Sequence, residues 1–183
     1  MNLKQSAAYL FAEARHQGQV RKYTAEPYIN HPLEVAEYLV QHAFEHGLPD
    51  GIDLSVMKDV ALLHDTVEDT ETSFLDISRE FGEEVCEHVF WLTDTVDLRM
   101  GGNRAVRKRL AAKRLARAPD LSKAVKIADL TNNTVSIVEH DPNFARTYLK
   151  EKVYTLDCIA QGLPPGPFFR ELLRKAYAQV IVD

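Results

Sequence analysis

Cysteine is nearly absent from this 183-residue chain; the 2 present, Cys86 and Cys158, lie far apart in no metal or redox spacing. A disulfide framework is therefore not expected. Long apolar runs are missing as well. None approaches the ~18 residues of a membrane span, and Met1 to Gln19 carries charges throughout, with no secretory apolar core. The expectation is a soluble, cytoplasmic protein with no membrane partner. Positive charge is in deficit, with 22 Lys and Arg against 27 Asp and Glu for a net charge of −5. General nucleic-acid binding, which needs clustered cations, is not expected. Alternating apolar and polar runs long enough for a sheet, internal repeats and low-complexity tracts are also lacking.

What remains is ordinary globular composition, 45% hydrophobic and 27% charged, at a length that predicts one domain over 1–183. The apolar spacing is helical. Leu3, Ala7, Leu10, Phe11 and Ala14 form one stripe, and Leu33, Ala36, Leu39, Val40 and Ala43 another. Val85, Val89 and Leu92 continue the pattern, as do Leu149, Val153, Leu156 and Ala160, then Phe169, Leu172, Leu173, Ala176 and Val180. Gly18, Gly47 to Gly51, Gly82, Gly101-Gly102 and Gly162 to Pro167 punctuate these stripes. The reading is an all-α helical bundle of about eight or nine helices. Gly162 to Pro167 is a corner before a final docked helix, 168–183.

The most informative stretch is Ala61-Leu62-Leu63-His64-Asp65-Thr66-Val67-Glu68-Asp69-Thr70. His64 extends the apolar stripe of Met57, Val60 and Ala61, so it faces inward. On continued winding, His64 and Glu68 are i,i+4 neighbours, as are Asp65 and Asp69. Burying that many ionisable groups is costly unless a cation compensates them. A second His-Asp pair, His140-Asp141, precedes Pro142 and reads as turn chemistry. In Asp120 to Glu139 an otherwise apolar helix carries one polar stripe, Ser122, Lys126, Asp129, Asn133 and Ser136. That stripe is read as lining a polar cavity, with Asp129 as a candidate metal ligand and Asn133 as a candidate substrate contact. Arg21 and Lys22 sit on a loop before Pro27-Tyr28-Ile29-Asn30-His31-Pro32, where Pro32 lies in the first turn of a helix. They could offer positive charge and planar stacking to an anionic, aromatic ligand.

Together these segments resemble the HD-domain metal-dependent phosphohydrolases. More narrowly, they resemble the (p)ppGpp hydrolase domain of the RelA/SpoT family in its stand-alone small alarmone hydrolase form. The resemblance rests on Arg21-Lys22, Pro27 to Pro32, Leu62 to Thr70, Phe81-Gly82, and Lys126-Ile127-Ala128-Asp129 with Asn133, in family order. It implies that His31, His64, Asp65 and Asp129 hold one divalent ion, usually manganese, and mixed imidazole and carboxylate ligands suit that metal. It implies catalysis by Glu68 and Asp69 on the attacking water, nucleobase contacts from Arg21 and Lys22, and a ribose-phosphate contact from Asn133. The implied reaction releases pyrophosphate from the 3′ position of ppGpp or pppGpp, leaving GDP or GTP, with a small-molecule nucleotide as the only implied partner.

Two departures bear on the base. The loop Arg21-Lys22-Tyr23-Thr24-Ala25-Glu26-Pro27-Tyr28 is one residue longer than the family wording, and Leu130 stands where the family has a basic residue. A (p)ppApp hydrolase and an NADPH 2′-phosphatase on the same site therefore stay open, as does a catalytically silent nucleotide sensor. Retention of both Glu68 and Asp69 argues against the sensor. The basic run Arg104, Arg107, Lys108, Arg109, Lys113, Arg114 and Arg117 is either a solvated helix or an electropositive rim that draws in a polyphosphate.

Overall fold

A computed structural model describes residues 2–94 and 103–180. Among them are α1 (Ala7–Arg15), α2 (Asn30–His46), α3 (Leu54–Leu63), α4 (Thr66–Asp69), α5 (Phe74–Leu92), α6 (Arg104–Leu115), α7 (Asp120–His140), α8 (Pro142–Ala160) and α9 (Pro167–Ala178). A short 3-10 turn, Leu3–Gln5, precedes them. The described residues contain no strand, only an isolated β-bridge from Val20 to Pro27, so the all-α expectation holds. No described helix is long and apolar enough to cross a membrane. The expected break at Gly101-Gly102 lies outside the described residues.

Local sequence chemistry starts several of these helices. Ser6 accepts from the Tyr9 amide, Asp53 from those of Ser55 and Val56, and Asp141 from that of Phe144. Ser73 and Asp76 form a reciprocal capping box at α5. Each such cap is worth about 1 kcal/mol, because it satisfies an amide that the helix cannot.

The most apolar helix becomes the centre. Met57, Val60, Ala61, Leu62 and Leu63 of α3 are fully buried, and α1, α2, α5 and α7 all pack on it. α7 buries its first half through Ala124, Val125, Ile127 and Ala128, while Val135 further along is exposed. α9 packs against α2, α7 and α8, with Phe168, Phe169, Leu172 and Ala176 buried.

Two apolar stripes differ from the expectation. In α1 the buried residues are Ala8, Tyr9 and Ala12, whereas Ala7, Leu10 and Ala14 face water. Small Ala8 and Ala12 let α1 approach α3 closely, and Phe11 is left on the flank, edge-on to Phe81 at 5.2 Å. In α8 the inward face runs through Ala145, Lys152, Leu156 and Ile159, so a lysine occupies a core-facing position where Val153 was expected.

Gly82 interrupts α5 with φ 88° and ψ 167°, a backbone region that a side chain resists. A Cβ there would meet nothing within 4 Å, so substitution is opposed by the backbone alone. Gly82→Ala should lower stability by about 1–3 kcal/mol, read as a lower urea midpoint at unchanged m-value; an unchanged midpoint would show the kink to be unstrained.

Candidate active site

His31 enters from the first turn of α2, His64 and Asp65 from the end of α3, and Asp129 from the middle of α7. α3 does not wind on as expected. It stops at Leu63, and Asp65 opens the separate turn α4. The Asp69 amide still bonds to the Asp65 carbonyl at 2.9 Å, so Glu68 and Asp69 remain one turn beyond the His-Asp pair.

The two imidazoles have their tautomers set by what surrounds them. His64 Nδ1 lies 2.7 Å from the Ala61 carbonyl, which can only accept, so Nδ1 carries the proton. His31 Nδ1 lies 2.8 Å from Asn132 Oδ1. That oxygen also accepts from both terminal nitrogens of Arg21 at 3.2 Å, so His31 likewise donates from Nδ1. In the neutral rings both Nε2 atoms would then be bare lone pairs, and both are buried and without a hydrogen-bond partner.

Those lone pairs face carboxylate oxygens. His31 Nε2 is 3.5 Å from Asp65 Oδ2 and 3.2 Å from Asp129 Oδ1; His64 Nε2 is 3.1 Å and 4.0 Å from the same two atoms. Lone pair against carboxylate is repulsive unless positive charge sits among them. The protonation balance reflects this. Burial alone would lower the His31 pKa, but Asp129 and Asp65 more than offset it and push it up to about 10. Burial raises Asp65 and Asp129, yet His64 and His31 hold the first, and Lys126 and His31 the second, well below the usual carboxylate range. Without a metal the raised His31 pKa leaves a proton on that ring as the compensating charge. A divalent ion would take the proton's place, and two imidazoles with two ionised carboxylates are a donor set that fits one.

Glu68 and Asp69 behave differently from these ligand candidates. Burial pushes the Glu68 pKa up, against the Asp94 amide at 2.8 Å, which pulls it down. Burial and then Asp65 push Asp69 up as well. The Tyr28 hydroxyl lies 2.6 Å from Asp65 Oδ2 and 3.0 Å from Asp69 Oδ2, so it ties the metal-ligand candidate to the candidate base.

Two cavities adjoin this cluster. The first, about 210 Å³, is lined by Glu68, Asp129, Asn133 and cations from α6, α7 and α8. The second, about 150 Å³, lies among Arg21, Lys22, Tyr23, Tyr28, His31 and Asn133. Asn133 stands between them, and its amide also donates to Asp129. The α7 polar stripe is thus divided: Lys126, Asp129 and Asn133 face the first cavity and Ser136 the second. Ser122 instead bonds His88 of α5 at 2.8 Å.

The loop residues are more engaged than a solvated loop would be. Arg21 pairs with Glu34 at 3.0 Å, with its side chain 11% exposed. Lys22 remains in water, 3.0 Å from the Tyr23 hydroxyl, which in turn bonds Asp141 at 3.1 Å. Ala25 in this loop takes a left-handed φ of 57°. The basic run is also divided. Arg104 grips Glu151 at 2.8 and 2.9 Å, Lys108 pairs with Asp94 at 3.2 Å, and Arg114 caps the Phe90, Trp91 and Thr93 carbonyls.

Three contributors were not legible in sequence: Asn132, Tyr28 as a bridge, and Lys152. Lys152 is 1% exposed and lines the first cavity. Among the described residues it bonds neutral oxygens, Thr134 Oγ1 at 2.8 Å and Gln179 Oε1 at 2.6 Å. Its spacing of four from both Tyr148 and Leu156 was the available signal.

The family described as HD domain matches residues 8–155. The chain is 40% identical over 124 residues to the guanosine-3′,5′-bis(diphosphate) 3′-pyrophosphohydrolase MESH1 of Xenopus tropicalis, covering 67% of this chain and 63% of that protein. The human protein of the same name is 38% identical with the same coverage, and that of Danio rerio is 35% identical over 73% of this chain and 71% of its own. The match thus spans 63% of the length of the Xenopus and human relatives. A solved structure titled "A metazoan ortholog of SpoT hydrolyzes ppGpp and plays a role in starvation responses" superposes with a TM-score of 0.75 at 27% identity, covering 95% of this chain and 96% of the other.

Because Asn132 fixes the His31 tautomer, Asn132→Ala should keep the fold and weaken divalent-cation binding by roughly 10- to 100-fold. Calorimetric titration of the metal-stripped protein measures this, and unchanged affinity would remove Asn132 from the site.

Proposed function

This chain belongs to the HD domain family, and from that premise we propose that it is a metal-dependent nucleotide pyrophosphohydrolase acting on the 3′-diphosphate of guanosine alarmones, ppGpp and pppGpp. One observation carries the reading. Two buried imidazole nitrogens without a hydrogen-bond partner and two ionised carboxylates converge at the edge of a cation-lined cavity, with two carboxyls of raised pKa one turn away. His31, His64, Asp65 and Asp129 would hold the ion, which we take to be Mn2+. When bound, such an ion lowers the pKa of water and neutralises charge developing on a phosphate.

The remaining chemistry belongs to the side chains. Water attacks the phosphorus attached to the ribose 3′ oxygen, the bond from phosphorus to that oxygen breaks, and pyrophosphate departs as the oxygen takes up a proton. Glu68 and Asp69 are the proton acceptors, since raised pKa values bring a carboxylate nearer the working range of a general base. Tyr28 orients Asp69. Lys126, Lys108 and Lys152 face the cavity that would take the diphosphate, and Asn133 lies where the ribose would pass. We read 1–183 as a single phosphohydrolase domain, supported by the packing of α9 on α2, α7 and α8, and take it to act in the cytoplasm.

A second reading has its own observation. Arg21 is already committed to Asn132 and Glu34, so it positions His31 more directly than it reads a base. That favours a less guanine-selective site, with (p)ppApp or the 2′-phosphate of NADPH as further substrates. Side-by-side product analysis with ppGpp, ppApp and NADPH in the presence of Mn2+ decides among them. Pyrophosphate from ppGpp is expected, and no product from any of the three would leave a binding protein without turnover.

Metal binding and proton transfer separate by mutation. Glu68→Gln should retain Mn2+ and nucleotide while turnover falls at least about a hundredfold; turnover near the wild-type rate would remove Glu68 from catalysis. Chelation should abolish activity and Mn2+ restore it, whereas full activity in a verified metal-free preparation contradicts the proposal.

Lys152 gives a pH signature. Burial pushes its pKa down to about 8. It is therefore charged below that pH and loses the charge as pH rises through it, while Arg104 on the same wall is held cationic by Glu151. The KM for nucleotide should rise above pH ~8. Lys152→Met should raise KM roughly tenfold or more at pH 7, as a hydrogen bond to a charged group is worth about 1.5–3 kcal/mol, and should flatten the rise. A KM insensitive to both changes would place the phosphates elsewhere.

A further inference from the structure

The C-terminal end of α2 carries a cluster that the reaction does not use. Glu45 and His46 follow His42 by three and four residues, so each lies one turn on and flanks the His42 side chain. One ligand atom from each lies within 4.8 Å of the other two. The site is separate from the active-site cluster: His42 follows His31 by eleven residues, roughly 17 Å along the helix axis.

His42 and Glu45 are each oriented by a hydrogen bond at the atom that does not face the cluster. His42 is 1% exposed, and its Nε2 lies 2.8 Å from the Phe168 carbonyl at the start of α9. A carbonyl only accepts, so His42 donates from Nε2 and presents Nδ1 as a bare lone pair, buried and unpartnered. Burial lowers its pKa further, which keeps the ring neutral. His46 Nε2 is a second buried atom without a hydrogen-bond partner, and Glu45 Oε2 stands 3.6 Å from it. Gln41 donates to the other Glu45 oxygen at 2.8 Å, fixing which oxygen faces the histidines. The rings of His42 and His46 are 4.5 Å apart at 55°. Bonds near 2 Å put tetrahedral ligand atoms roughly 3.3 Å apart, so the Glu45 and His46 pair already has that spacing, and small side-chain rotations close the rest.

We propose that His42 Nδ1, Glu45 Oε2 and His46 Nε2 form a second metal site, for a zinc-class transition ion, at the C-terminal end of α2. Imidazole with one carboxylate suits Zn, Ni or Cu, and a histidine whose other nitrogen donates to a backbone carbonyl is the usual outer-shell arrangement of such ligands. Lys175 of α9 is the internal competitor. Its ammonium pairs with Glu45 Oε2 at 3.2 Å and must swing away when the ion binds.

Zinc bound per chain, measured by equilibrium dialysis and metal analysis of the full-length protein, tests this as a difference that does not depend on whether the active site fills. His46→Gln and Glu45→Gln should each bind one Zn2+ fewer than wild type, with Mn2+-supported hydrolysis unchanged, and should lose a zinc-dependent rise in Tm that wild type shows. Lys175→Met should tighten zinc binding at this site several-fold by freeing the carboxylate. Equal zinc content in wild type and both glutamine variants would overturn the proposal, as would a Lys175→Met protein that binds zinc more weakly.

Discussion

Two imidazole lone pairs and two carboxylates meeting at one buried point are the constraint on which the rest of the structure depends. Leaving such charges uncompensated costs several kcal/mol per ion, and the fold supplies compensation around them. The Ala61 carbonyl orients His64, Asn132 orients His31, and Lys126 balances Asp129 at 2.7 Å. α3 ends at this point, which turns Asp65 toward the cluster and leaves Glu68 and Asp69 just beyond it.

The network reaches further than the four ligand candidates. Arg21 and Glu34 lock Asn132, whose own amide donates to Glu34 at 2.8 Å. Tyr23 bonds Asp141, which also caps α8. A loop that looks peripheral in sequence is thereby attached to both α7 and α8. The first cavity has a similar economy of charge. Its α6 cations Arg104 and Lys108 are matched by Glu151 and Asp94, while Arg114 and Lys152 bond neutral oxygens among the described residues. An anionic group entering there meets that uncompensated charge.

α2 links the two ends of the molecule. It delivers His31 from its first turn and His42 with His46 from its last, and α9 packs on both α2 and α7. Residues that brace α9 therefore bear on the same helices that hold the reaction centre, although they lie far from it.

The sequence by itself determined the helical class and most of the buried stripes, and it marked His64, Asp65, Glu68 and Asp69, whereas His31 joined them only through the family resemblance. Apolar period and breakers are local properties, and four ionisable residues ending an apolar helix are recognisable without coordinates. It did not determine where α3 stops, because helical winding and a break at His64 present the same residue spacing. It misassigned the α1 and α8 faces, since Leu10 and Val153 are apolar yet the choice of face was made by Ala8 and Ala12 packing on α3 and by a cavity that turned Lys152 inward. The roles of Asn132, Tyr28 and Arg21, and the division of the basic run into paired and capping residues, were decided by tertiary structure alone. Each depends on a partner 37 to 111 positions away or on a neighbouring helix, and distance along the chain carries no record of which polar groups will share a lone pair.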